Sequence, residues 1–310
     1  MHNEVFFTCF SYEGLKQKRL NFFNPKTLYE CTHRINYNML FKLSVLSLLI
    51  ALHISCTEII DVSTIAAEPQ LVVEANIVLN QPAVVLLSKT KALNQTNDFE
   101  KVSQAKIQIS DNNGKTEYLT EDEHFSGKYV SKTMKGEQGK TYSLRIEYEG
   151  KIITSSSKMP LQVPIDSFTV TNTLFPGGPT AKANVPAPFY EIVLKFSDPL
   201  HIENFYRFDL YYNNVKQDRN NIASDRFNNG KQIEVRLILF NDSVKQGDKI
   251  VVEMLCIDKQ VFNYFESMRN SGGGPRNASS PANPYTNLNG ALLGYFSAHT
   301  LEKRSWILKQ

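Results

Sequence analysis

Three histidines lie beyond residue 56, His124, His201 and His299, and they stand far apart. Zinc asks for three or four nitrogen or sulfur ligands, two of them normally a few residues apart. No second His or Cys falls at that spacing, so the pattern offers no metal centre. Serines are frequent, but no Gly-x-Ser-x-Gly turn presents one as a nucleophile. Gly272-Gly273-Gly274 runs into Pro275 and a polar stretch, which opens no helix, so it reads as a loop and not a phosphate cradle. Glu121-Asp122-Glu123 could offer carboxylate oxygens to calcium or form a solvated turn. The sequence therefore predicts no catalytic residue, no cofactor and a non-enzymatic protein. Contact chemistry is better represented. Asp198-Pro199, Asn204 to Phe208 and Asn283 to Asn287 combine aromatics with Asn and Arg near loops. Phe205, Tyr206, Arg207, Asn283, Tyr285 and Asn287 are the candidates for partner or ligand contact. The same residue types also fill sandwich cores and satisfy turn backbones, so both readings stand.

One cysteine carries a different chemistry. Leu43 to Leu52 is the longest apolar run, and ten residues span about 15 Å as a helix, half of a bilayer's hydrocarbon core. That suits the apolar region of a signal peptide. Ser55-Cys56 follows it and resembles a bacterial lipobox, in which the cysteine thiol is acylated and becomes the new N-terminus. The alternatives are an ordinary secretory signal, or a short apolar helix with an incidental cysteine. Residues 39–55 are thus expected to be a lipoprotein signal peptide and Cys56 the lipidation site. Residues 1–38 lack an orderly basic region; they read as an extension upstream of a true start at Met39, or as a disordered leader.

Removing this leader changes the charge argument. Residues 1–55 hold six of the 34 basic and three of the 31 acidic residues, so the rest balances 28 against 28. The net charge of +3 belongs to the leader. Electrostatics give no support for nucleic-acid binding. Cys256 sits in the apolar run Val251 to Ile257 and is expected to be a buried thiol.

Beyond a tether at 56–69, periods of two dominate. Gln70 to Val78 and Ala83 to Ser88 flank a turn at Asn80-Gln81-Pro82. Ala105, Ile107 and Ile109 share a face before the hairpin signal Asp111-Asn112-Asn113-Gly114. Tyr142, Leu144, Ile146 and Tyr148 alternate with polar residues. About seven strands over 70–159 predict an immunoglobulin-like β-sandwich. Met159-Pro160 to Pro164 reads as a stiff linker at 160–164. A second β-rich domain is expected over 165–310, with strands at Glu191 to Phe196, Tyr206 to Tyr212, Ile233 to Phe240 and Lys249 to Ile257. Val261, Phe262, Phe265 and Met268 fall at helical spacing after Asp258, predicting one short helix near 258–269. Leu292 to Ala298 is expected to be a last strand, followed by a short return around Trp306 to Leu308.

The order of several short motifs is familiar. Ile60-Asp61, Leu71 to Ala75, Val102 to Ala105, Gly127-Lys128-Tyr129 and Gly139 to Tyr142 are followed by Asp198-Pro199, Asn204 to Phe208 and Phe262-Asn263-Tyr264. Asn283 to Asn287 and Leu293-Gly294-Tyr295-Phe296 complete the series. Over roughly 56–308 the chain resembles the domain-of-unknown-function 4249 family of Bacteroidota outer-membrane lipoproteins. It departs at Leu200 to Glu203, where relatives carry a proline-glycine-acidic stretch. The resemblance implies an outer-membrane lipoprotein, often encoded near TonB-dependent transporters, with no established reaction; the expected role is a lipid-anchored accessory or binding partner of such a transporter. A surface adhesin or glycan-binding module is the alternative expectation, with loops 175–188 and 271–287 supplying its surface. Asp242-Ser243-Val244 has the form of O-glycosylation sites in the same group of bacteria.

Overall fold

The computed structural model of the protein describes Ser44 and residues 68–91, 98–175, 187–240, 244–271, 283–291 and 293–308. The leader at 1–38, Cys56, the tether as far as residue 67, Asp242 and Gly272 to Gly274 lie outside the described residues, as does most of the 175–188 loop. Among the described residues no helix is long and apolar enough to cross a membrane.

The chain is mainly β. In order it forms β1 (Leu71–Val78), β2 (Pro82–Lys89), β3 (Lys106–Asp111), β4 (Thr116–Tyr118), β5 (Thr120–Glu121), β6 (Lys128–Lys135), β7 (Thr141–Tyr148) and β8 (Lys151–Lys158). There follow β9 (Ser167–Phe175), β10 (Ala187–Ser197), β11 (Phe205–Tyr212), β12 (Val215–Lys216), β13 (Asn221–Ser224), β14 (Gln232–Phe240) and β15 (Lys249–Ile257). The chain ends in α1 (Lys259–Ser271), β16 (Leu288–Asn289) and β17 (Leu293–Ile307).

The first eight strands build the expected sandwich. One sheet runs β1-β2-β6-β5 and the facing one β8-β7-β3-β4, the strand order of the immunoglobulin fold. Alternation explains the core: Val73, Ala75, Ile77, Ile107, Ile109, Leu144, Ile146 and Ile153 all point between the two sheets and are buried. The turns fit their residues. Asn80 takes a positive φ of 61° between β1 and β2, and Gly114 one of 86° in the β3–β4 hairpin.

The second core lies between β9, β10 and β14 on one side and β11, β15 and the end of β17 on the other. Ile192, Leu194, Phe196, Leu237 and Leu239 meet Tyr206, Phe208, Ile250, Val252, Met254 and Cys256 there. Cys256 is a buried free thiol, and burial pushes its pKa up.

The expected return at Trp306 to Leu308 does not exist. Strand β17 runs unbroken for 15 residues. No glycine, proline or asparagine interrupts Ala298 to Trp306, so nothing turns the chain. What changes is its neighbour. Val72↔Leu293 to Val78↔His299 pair β17 in parallel with β1, and Cys256↔Thr300 to Lys249↔Ile307 pair it antiparallel with β15. Phe296 and Ala298 enter the first core, whereas Leu308, just after the strand, enters the second. One nine-stranded sheet therefore spans both cores.

Helix α1 packs on the outer face of this sheet, over Phe205, Leu255, Ile257, Tyr295 and Leu301. Its start follows the sequence signal: Asp258 accepts the Val261 N–H at 2.9 Å as an N-cap. The other Asp258 oxygen accepts the Ser157 hydroxyl, and Ser157 Oγ accepts the Ala298 N–H at 2.8 Å. Burial pushes the Asp258 carboxyl above its usual range.

Candidate functional site

Strand β11 sorts three of the predicted contact residues by its period of two. Tyr206 faces the second core, fully buried, packed edge-on to Phe196 at 4.7 Å. Its hydroxyl donates to the Asp198 carboxylate, and burial followed by that carboxylate raises its pKa strongly. Phe205 points the other way, against Phe262 of α1 at 5.0 Å. The Arg207 guanidinium lies 3.9 Å from the centroid of the Phe265 ring and 2.9 Å from Asp209. Phe205 and Arg207 hold the sheet to the helix and Tyr206 fills the second core, so the three are not a free surface.

Asn287 is also structural. Its amide donates to the Phe296 carbonyl at 2.7 Å and accepts the Phe296 N–H at 3.0 Å, both buried. Thr286 Oγ1 donates to the Gly294 carbonyl at 2.7 Å, and the Tyr285 N–H donates to Ser267 Oγ at 2.8 Å. The Asn283 to Asn287 segment is thus a strap between β17 and α1. Only Asn283 and Tyr285, the latter 45% exposed, reach the surface from it.

A serine–histidine contact is present on β17. Ser297 Oγ lies 2.9 Å from His299 Nδ1, but both residues are buried on the outer face of the nine-stranded sheet. Burial, then the Arg207 charge, push His299 down to about 4, which holds the ring neutral. The pair braces the sheet; burial keeps a substrate from it.

An open cleft lies elsewhere, on the side of the first sandwich. A cleft of about 500 Å³ is lined by Leu86 and Leu87 of β2, Glu74 of β1, Phe99, Lys101, His124, Phe125, Ser126 and Lys128. Phe99 is 51% and Phe125 62% exposed. Each ring carries an ammonium: Lys91 stands 5.0 Å from the Phe99 centroid and Lys128 5.0 Å from that of Phe125. Such rings offer apolar area at low conformational cost, and with Leu86, 42% exposed, they make an apolar mouth edged by cations.

The wall of the cleft is rigid. Leu87 donates its N–H to the Gly127 carbonyl at 2.8 Å and accepts from Val102 at 3.1 Å. Gly127 has a positive φ of 74°, and a Cβ there would stand 2.6 Å from the Leu87 oxygen. The acidic cluster beneath serves this turn. Glu121 accepts the N–H groups of Gly127 at 2.8 Å and Gln104 at 3.2 Å. Burial alone would raise its pKa, but these hydrogen bonds outweigh burial and lower it. Asp122 accepts the His124 N–H at 3.0 Å and pairs with Lys128 at 3.1 Å, which hold its pKa down. These two carboxylates are committed to the turn.

Sequence reasoning missed this cleft. The signal lay in isolated aromatics, Phe99 and Phe125, set among polar residues with no partner at period two. A family model described as "Domain of unknown function (DUF4249)" matches residues 57–305. No curated protein matches the chain.

Proposed function

Because the chain belongs to the family of the domain of unknown function 4249, we propose that it is a non-enzymatic, lipid-anchored protein of the bacterial outer membrane. It acts as an accessory or binding partner of a TonB-dependent transporter. Anchoring rests on Cys56 at the end of the Leu43–Leu52 apolar run. Each buried methylene of an acyl chain contributes about 0.8 kcal/mol, so more than one chain holds a protein firmly.

The single observation that carries the binding role is the cleft mouth. Phe99 and Phe125 are large, apolar and exposed, and Phe125 stands on a turn held by Glu121 and Gly127. Aromatic residues, Phe among them, are enriched in the buried part of protein interfaces. The test is co-purification of tagged protein from detergent-solubilised outer membranes, comparing the native chain with Phe99→Ala/Phe125→Ala. A β-barrel partner recovered with the native chain and lost with the variant supports the role; equal recovery removes the cleft from it. The alternative, a surface adhesin or glycan-binding module, draws on the exposed Tyr285 and Asn283 beside the end of α1.

A further inference from the structure

The five-stranded sheet, β16-β8-β7-β3-β4, turns Ile107, Ile109, Leu144, Ile146 and Ile153 into the first core. Its other face is open. Register sets Tyr118, Gln108, Arg145, Thr154 and Asn289 side by side, one from each strand. At about 4.8 Å per strand, this row runs roughly 19 Å. Thr116, Ser110, Ser143 and Ser156 form a parallel row next to it. Most of these residues line a shallow depression of about 350 Å³.

Three properties define what this face can hold. First, the side chains of Gln108, Ser110, Ser143, Thr154, Ser156 and Asn289 make no hydrogen bond to any described residue, so hydroxyl and amide donors and acceptors are all on offer. Second, Arg145 is already paired with Glu147 at 2.9 Å, so the row demands no charge of its ligand. Third, Tyr118 closes the row as a ring 54% exposed, with the Lys106 ammonium 5.2 Å from its centroid. The edges of the sheet are short, three residues in β4 and two in β16. Short edges are poor templates for an added peptide strand, so a ligand would lie across the face.

We propose that this face binds an extended, neutral polysaccharide, whose hydroxyls match the two polar rows and whose sugar ring stacks on Tyr118. The site goes beyond the glycan-binding alternative, since it shares neither Tyr285 nor Asn283 with it, and is independent of the transporter cleft. The test is native gel electrophoresis of the full chain through gels containing dextran, xylan or glucomannan, with Tyr118→Ala, Gln108→Ala/Asn289→Ala and Phe125→Ala as variants. Retardation of the native chain by at least one of these, weakened about fivefold by Tyr118→Ala and by the double variant at unchanged melting temperature, is expected. Phe125→Ala should migrate as the native chain does. No retardation by any of the three polysaccharides, or retardation that Tyr118→Ala and the double variant leave intact, overturns the proposal. Equal weakening by Phe125→Ala would move the site to the cleft and overturn it as well.

Discussion

The Arg207 guanidinium stacks on the ring of Phe265 at 3.9 Å, joining the middle of β11 to the inner face of α1. The same group pairs with Asp209 at 2.9 Å, and Lys216 approaches the other side of that carboxylate at 2.7 Å. A cation desolvated over an aromatic face is worth about 2 kcal/mol. Arg207→Ala and Phe265→Ala should each destabilise the fold, and a double-mutant cycle in urea should give a coupling of about 1 kcal/mol or more. Arg207→Lys should recover little of it, because an ammonium is not a flat plate. Additive losses would mean that the stack contributes nothing.

His299 makes the fold sensitive to acid. Its pKa is about 4 in the folded chain against an ordinary 6.5, so the unfolded chain takes up the proton first. Its contribution is therefore fully present above pH 6.5 and is lost as pH falls toward 4. The full span is about 3 kcal/mol. Asp225 and Asp258, both with raised pKa values, act in the opposite sense, their contribution fading as pH rises. Comparing the native chain with His299→Gln isolates the histidine: the native curve should fall more steeply between pH 6.5 and 4. Parallel curves would exclude His299 as its source.

The junction of β1 and β17 tolerates no side chain at one position. Gly294 pairs with Val73 at a φ of 108°, and a Cβ there would stand 1.9 Å from the Val73 carbonyl oxygen. Gly294→Ala should force the start of β17 off β1 and yield a chain that is insoluble or melts far below the native one. Asn287→Ala removes both bonds to the Phe296 backbone and should cost about 2 kcal/mol, measured by denaturant unfolding.

Much of the fold was legible because its signals are local. The alternation of Tyr142, Leu144 and Ile146, the Asn113-Gly114 turn and the Asp258 cap each act within a few residues, and each formed where expected. Strand β17 was misread because its change of neighbour at Thr300 leaves no mark on the chain. A strand pattern records a period, not a partner. The contact residues were harder for the same reason. In Phe205-Tyr206-Arg207 an aromatic pair and a cation look like a surface, and only the sheet register shows that one side meets a core and the other a helix. The polar face was invisible because Tyr118, Gln108, Arg145, Thr154 and Asn289 lie up to 181 residues apart in the chain and meet only through register.

Removal of the cleft's aromatics should leave the fold untouched. Phe99 and Phe125 are exposed, and surface truncations normally change stability by less than about 0.5 kcal/mol. The Phe99→Ala/Phe125→Ala chain should melt with the native chain in a thermal scan while losing its partner. A large drop in melting temperature would make the rings structural instead.

Mass spectrometry of native protein purified from detergent-solubilised outer membranes reads the lipid anchor and the membrane partner together. The expected species is a chain whose first residue is Cys56, carrying the mass of acyl groups, recovered with a β-barrel transporter in stoichiometric amount. An unmodified Cys56 within a longer chain, recovered from the soluble fraction, would contradict it.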